Sequence, residues 1–134
     1  MATFKASHRY ARIAPRKARL IMDLVRGRDV DDAIALLKFS KQRASGMIEK
    51  VIRSAVANAN EQETAQIRNT LFVAKAWVDP GPVIKRFQPK DRGKAYPINK
   101  RTSHLVVSID DRGVGEIVRR KTKTVGGRHG KARI

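Results

Sequence analysis

The chain has 134 residues and no cysteine, and its 30 Lys and Arg against 12 Asp and Glu leave a formal net charge of +18. That length suits one ordinary domain and excludes two independent cores, while the missing thiols exclude disulfides, thiolate nucleophiles and Cys-based zinc sites and agree with a reducing compartment. So large a charge makes a compact state repel itself, and the partner that offsets such repulsion is a polyanion, nucleic acid being the commonest.

The first element predicted is a strand over Thr3 to Arg12, where Phe4, Ala6, His8 and Tyr10 alternate with polar neighbours. A helix follows, with Pro15 suited to its first turn and Gly27 to the position just past its end. Ala18, Ile21 and Val25, with Leu20 and Leu24 adjacent, form its apolar stripe, and Arg16, Lys17, Arg19 and Asp23 face away. A shorter helix starts at Asp29, with Asp31 and Asp32 at the positive end of its dipole and Val30, Ala33, Ile34 and Leu37 on its buried face. The third helix has the cleanest pattern: Ala44, Met47, Ile48, Val51, Ile52, Ala55, Val56 and Ala59 follow unbroken 3-4 spacing. The polar stretch from Asn58 to Gln66 ends it. Two strands come next, Leu71 to Asp79 and Ser103 to Ile109, joined most simply in antiparallel fashion. The fold class is therefore α+β in the order β-α-α-α-β-β, one domain over residues 1–111.

The segment between the last two strands, Pro80 to Arg101, does not resemble core. It holds seven basic residues and one acidic residue, Asp91, and it is abnormally long for a connection in a compact domain. Val83, Ile84, Phe87, Tyr96 and Ile98 are interleaved with the cations, a composition suited to phosphates, riboses and bases together. Run as two antiparallel arms of about eleven residues, at about 3.3 Å each, it would carry its tip roughly 35 Å from the body and be ordered by a surrounding partner. Pro97 is expected to interrupt the returning arm. Residues 112–134 form a basic C-terminal tail with eight Lys or Arg and one Glu, broken by five glycines, which folds only on RNA if at all.

Catalytic and metal chemistry find no support. His8, His104 and His129 are far apart and lack partners at metal-ligand spacing. Ser103 and His104 are neighbours on one strand and point to opposite faces, so a hydrolase triad with Asp110 fails. Residues 126–131 approach a phosphate loop, but Val125 and Ala132 stand where the motif needs Gly and Ser or Thr. No apolar run nears the roughly 20 residues that span a bilayer, and Met1 to Lys5 has no apolar signal segment. The expectation is a cytoplasmic protein with no enzyme activity, cofactor, metal or membrane contact.

Ala14-Pro-Arg-Lys-Ala-Arg-Leu-Ile-Met-Asp-Leu-Val-Arg-Gly27, then Ala55-Val-Ala-Asn-Ala59, Val78-Asp-Pro-Gly-Pro82, Lys85-Arg86, Pro89 and Lys100-Arg-Thr-Ser-His104 closely resemble the bacterial large-subunit ribosomal protein L twenty-two family, over about Lys5 to Ile109. The resemblance implies a three-stranded antiparallel sheet packed on three helices, with a long β-hairpin projecting over residues 80–101. It implies a body at the outer surface of the large subunit and a hairpin running through ribosomal RNA to line the nascent-peptide exit tunnel. It also implies RNA binding in early assembly, and a tip where changes can alter macrolide sensitivity. The expected partners are large-subunit ribosomal RNA, neighbouring ribosomal proteins and the nascent peptide, with no homo-oligomer. The expected RNA contacts are Arg9, Arg12, Arg16, Lys17, Arg19, Lys85, Arg86, Lys90, Arg92, Lys94, Lys100, Arg101, Thr102, Ser103 and His104. The expected tunnel-lining tip is Ile84, Lys85, Arg86, Phe87, Gln88, Pro89, Lys90, Asp91, Arg92 and Gly93. Phe87, Gln88 and Asp91 depart from the family's usual aliphatic and basic residues, and the Asp91 carboxylate would repel phosphate. A free-standing basic RNA- or DNA-binding assembly factor is the alternative; it would call for a recognition helix or an aromatic sheet platform, and aromatic residues are only 5% of the chain.

Overall fold

The computed structural model describes residues 3–62 and 70–111; the tail expected over 112–134 lies outside them. The elements are β1 (Thr3–Ala11), α1 (Pro15–Val25), α2 (Val30–Phe39), α3 (Arg43–Gln62), β2 (Leu71–Pro80), β3 (Ile84–Pro89), β4 (Ala95–Lys100) and β5 (Ser103–Asp111), with a short 3-10 turn at Asp91–Gly93 between β3 and β4. The fold is the expected α+β one. β5 is the centre of a three-stranded antiparallel sheet in the order β1-β5-β2, and β3 pairs with β4 in a separate ladder.

The helices cover one face of the sheet. Phe4 and Ala6 of β1, Val73, Ala76 and Val78 of β2, and Leu105, Val107 and Ile109 of β5 point into the core, where α3 meets them with Ile48, Val51, Ile52, Ala55 and Ala59. All eight apolar positions expected on α3 are buried or packed against that core. α2 likewise buries Val30, Ala33 and Leu37, with Ile34 packed beside them. Asp29 precedes α2 without a side-chain cap, and Asp31 and Asp32 sit in its first turn.

Two details depart from the sequence expectation. On α1 the buried stripe is Pro15, Ala18, Ile21, Met22 and Val25. Leu20 is 65% exposed and Leu24 48% exposed. At 100° per residue, positions 18, 21, 22 and 25 cluster on one side of the helix, and 20 and 24 lie opposite. Met22 therefore takes the core place expected of the two leucines. On β1, Tyr10 has φ +57° and the register to β5 shifts between His8 and Ala11. This bulge turns Tyr10 outward and puts Ala11 and Ile13 into the core in its place.

The free edge of β2 is closed by α1 and the loop after it. Gly27 N–H donates to Val73 O and Val73 N–H to Arg28 O. The Arg26 guanidinium donates twice to Ala76 O, at 2.6 and 3.2 Å, and Arg19 reaches Val78 O at 3.4 Å. Satisfied carbonyls and a row of arginines make this edge a poor template for another strand.

Candidate nucleic-acid interface

β2 and β5 run past the body into β3 and β4 through a neck at residues 81–83 and 101–102. Gly81 N–H donates to Thr102 O, and the Thr102 hydroxyl donates to Pro82 O at 2.6 Å. A Cβ at position 81 would lie 2.5 Å from Thr102 Oγ1 and 3.3 Å from its carbonyl carbon and oxygen. Only glycine lets the two arms approach so closely. Thr102 and Ser103, expected among the RNA contacts, are both buried. Their place is inside the neck and the sheet, where a polyanion does not reach them. The Ser103 hydroxyl is buried without a hydrogen-bond partner.

Beyond the neck the ladder is regular: Ile84 faces Lys100, Lys85 faces Asn99, Arg86 faces Ile98, Phe87 faces Pro97, Gln88 faces Tyr96 and Pro89 faces Ala95. The interruption expected at Pro97 does not occur. Lys90 N–H donates to Lys94 O at the loop end, so hydrogen-bonded pairs alternate back from there through Gln88–Tyr96, Arg86–Ile98 and Ile84–Lys100. Pro89 and Pro97 both fall on the other phase, where the backbone nitrogen faces outward and no ladder donor is lost.

The register also sorts the side chains. Cross-strand partners share a face and successive residues alternate. One face carries Arg86, Lys90, Lys94 and Lys100 around Ile84, Gln88, Tyr96 and Ile98. Lys90 Nζ stands 5.1 Å from the centre of the Tyr96 ring, cation and aromatic side by side. The other face carries Phe87, Pro89, Ala95 and Pro97, with Lys85 and Asn99 towards the neck. Phe87 is 74% exposed. The turn that joins the arms puts Arg92 at φ +57° and Gly93 at φ +71°, and Lys90, Asp91, Arg92, Lys94 and Tyr96 surround a shallow concavity there. Every residue from Lys85 to Arg101 is exposed, so the hairpin has no core of its own.

On the body, Arg9, Arg12, Arg16, Lys17 and Arg19 are exposed, as expected of contacts. Arg16, Lys17 and Arg19 are brought together with Arg101 along one groove beside the neck, while Arg9 and Arg12 stand apart from it. The ion pairs among the described residues, Arg26–Asp23 at 2.8 Å and Arg53–Glu49 at 2.6 Å, involve none of the expected contact cations. His104 is half-buried. Its Nδ1 accepts from Tyr10 N–H at 2.9 Å, and its ring meets the Tyr10 ring edge-on with centroids 4.8 Å apart. It thus holds the β1 bulge and leaves Nε2 to carry the proton of the neutral ring. The sequence reading missed Gly81 and Leu20. The Gly-Pro pair at 81–82 was a signal for the first. The second, on a helix that already had an apolar stripe, gave none.

A family model described as ribosomal protein L22p/L17e matches residues 6–110. The chain is 48% identical over 112 residues to the large ribosomal subunit protein uL22 of Lactobacillus helveticus, covering 84% of this chain and 95% of the relative. It is 50% identical over 107 residues to that of Lacticaseibacillus casei, covering 80% and 91%. It is 45% identical over 108 residues to that of Bdellovibrio bacteriovorus, covering 81% and 97%.

Proposed function

Since this chain belongs to the ribosomal protein L22p/L17e family, we propose that it docks its body on large-subunit ribosomal RNA and runs its hairpin through that RNA to the nascent-peptide exit tunnel. The chain is a structural constituent of the large ribosomal subunit and not an enzyme. Its working place is the cytoplasmic ribosome, among neighbouring large-subunit proteins, as a single copy that binds RNA early in assembly.

The observation that carries this reading is the two-faced hairpin. A ladder with no apolar layer behind it is stable only when something encloses it. Arg86, Lys90, Lys94 and Lys100 on one face suit RNA phosphates, with Tyr96 beside them for a ribose or base. Beyond Lys85 and Asn99 at the neck end, the other face presents only Phe87, Pro89, Ala95 and Pro97, which offer phosphate nothing and suit the tunnel wall against which a peptide moves. Asp91 at the very tip lies among Lys90, Arg92 and Lys94, so its repulsion of phosphate is offset locally.

The test replaces residues 85–99 by an Asn-Gly turn, which joins Ile84 to Lys100 across a hydrogen-bonded pair. The body should fold and enter large subunits at near-normal occupancy. The response of those subunits to a macrolide or to a stalling nascent chain should change. Normal occupancy with an unaltered response to both would refute the tunnel role.

A further inference from the structure

Resting on the RNA-binding reading above, we infer that the groove between the first turn of α1 and the hairpin neck holds the sugar–phosphate backbone of one RNA strand, with Leu20 seated against a ribose. The groove encloses about 840 Å³ and is walled by Arg16, Lys17 and Arg19 of α1 on one side and by Pro80 at the end of β2 and Arg101 of the neck on the other. Among the described residues, no carboxylate lines it. The two walls come from segments far apart in sequence, so their four cations converge only in the folded chain.

Three further features point to a nucleic-acid strand. The first turn of α1 holds no acidic residue, and Ala14 before it gives no side-chain cap, so the positive end of the helix adds to the cations unmasked. Leu20 borders the groove at 65% exposure and packs on nothing in the core. An exposed leucine among four cations fits a ligand that alternates charge with an apolar sugar face, which is the pattern of an RNA backbone. The groove also lies at the root of the hairpin, since Arg101, which lines it, directly follows the end of β4 at Lys100.

The chain has no cysteine, so single introduced thiols are unique attachment points. Leu20→Cys, Ala14→Cys and, as a hairpin reference, Ala95→Cys would each carry a tethered iron chelate in the full-length protein reconstituted into large subunits. Hydroxyl radicals released there cut nearby RNA backbone. The inference predicts that the probes at 20 and 14 cut one short, overlapping stretch of RNA. Cuts from 95 with none from 20 or 14 would overturn the groove assignment and leave the RNA-binding reading standing. Radical cleavage of a neighbouring protein from 20 would do the same and make the occupant an acidic peptide. No RNA cuts from any position would overturn both. In parallel, Arg16→Gln with Arg101→Gln should flatten the log-affinity against log-salt slope for purified large-subunit RNA by roughly 0.7 per lost phosphate contact; an unchanged slope would contradict the inference.

Discussion

At Gly81 a single methyl group decides whether the hairpin can leave the body. Gly81→Ala would press a Cβ to 2.5 Å from Thr102 Oγ1 and against its carbonyl, and should cost about 1–3 kcal/mol as an overpacked contact. Thr102→Ala removes the hydroxyl bonded to Pro82 O and should cost about 1 kcal/mol. Because the two changes meet at one contact, thermal unfolding of the double variant should show a smaller loss than the sum of the singles. Strict additivity would mean that the neck relaxes without that contact. Ser103 tests the opposite case. Its hydroxyl is buried and unpartnered, so Ser103→Ala should leave stability unchanged or raise it by up to about 1 kcal/mol, with no loss of RNA affinity. A weakened RNA complex from a stably folded Ser103→Ala protein would restore the residue to the interface. Single residues were also where the sequence was least legible. The exposure of Leu20 and Leu24 follows from the choice of Met22 for the core, which depends on what the helix packs against. The left-handed Tyr10 depends on a histidine almost a hundred positions away.

Secondary elements were more legible, because their signals are local. The unbroken 3-4 spacing from Ala44 to Ala59 placed α3 and its buried face, since so long a stripe has only one amphipathic solution. Ile52 is fully buried at its centre, and Ile52→Ala should cost about 2–5 kcal/mol in denaturant unfolding. A cost under 1 kcal/mol would mean a core that collapses around the cavity. The hairpin's existence was visible in its length and charge, but its faces were not. They depend on the phase of the ladder, which the turn at Asp91–Gly93 sets, and a turn shifted by one residue on a single arm would exchange the partners. The same phase explains why Pro97 does not break the returning arm. In the free protein the exposed ladder should open readily. Amide exchange should be fast across β3 and β4 and slow from Met47 to Val56. Protection in the hairpin equal to that of α3 without RNA would contradict the dependence on an enclosing partner.

For the molecule as a whole, a net charge of +18 on 134 residues is the property that composition alone disclosed, and it sets the character of binding. Affinity of the full chain for large-subunit RNA should fall by a factor of roughly ten or more over a few-fold rise in salt, because each phosphate contact releases counterions. A nearly flat response would show that contacts other than phosphate dominate. The body and the hairpin are predicted to divide the work. Replacing Arg16, Lys17 and Arg19 together should lower occupancy in purified large subunits, while the loss of residues 85–99 should alter the tunnel response at preserved occupancy. The orientation of the hairpin within the particle decides which of its faces meets RNA and which meets the tunnel. A high-resolution reconstruction of large subunits containing this chain measures it directly. Arg86, Lys90, Lys94 and Lys100 are predicted to meet RNA phosphates, with Phe87 and Pro97 facing the tunnel space. Phe87 and Pro97 against RNA with the four cations in the tunnel, or a hairpin folded back on its own body, would contradict it.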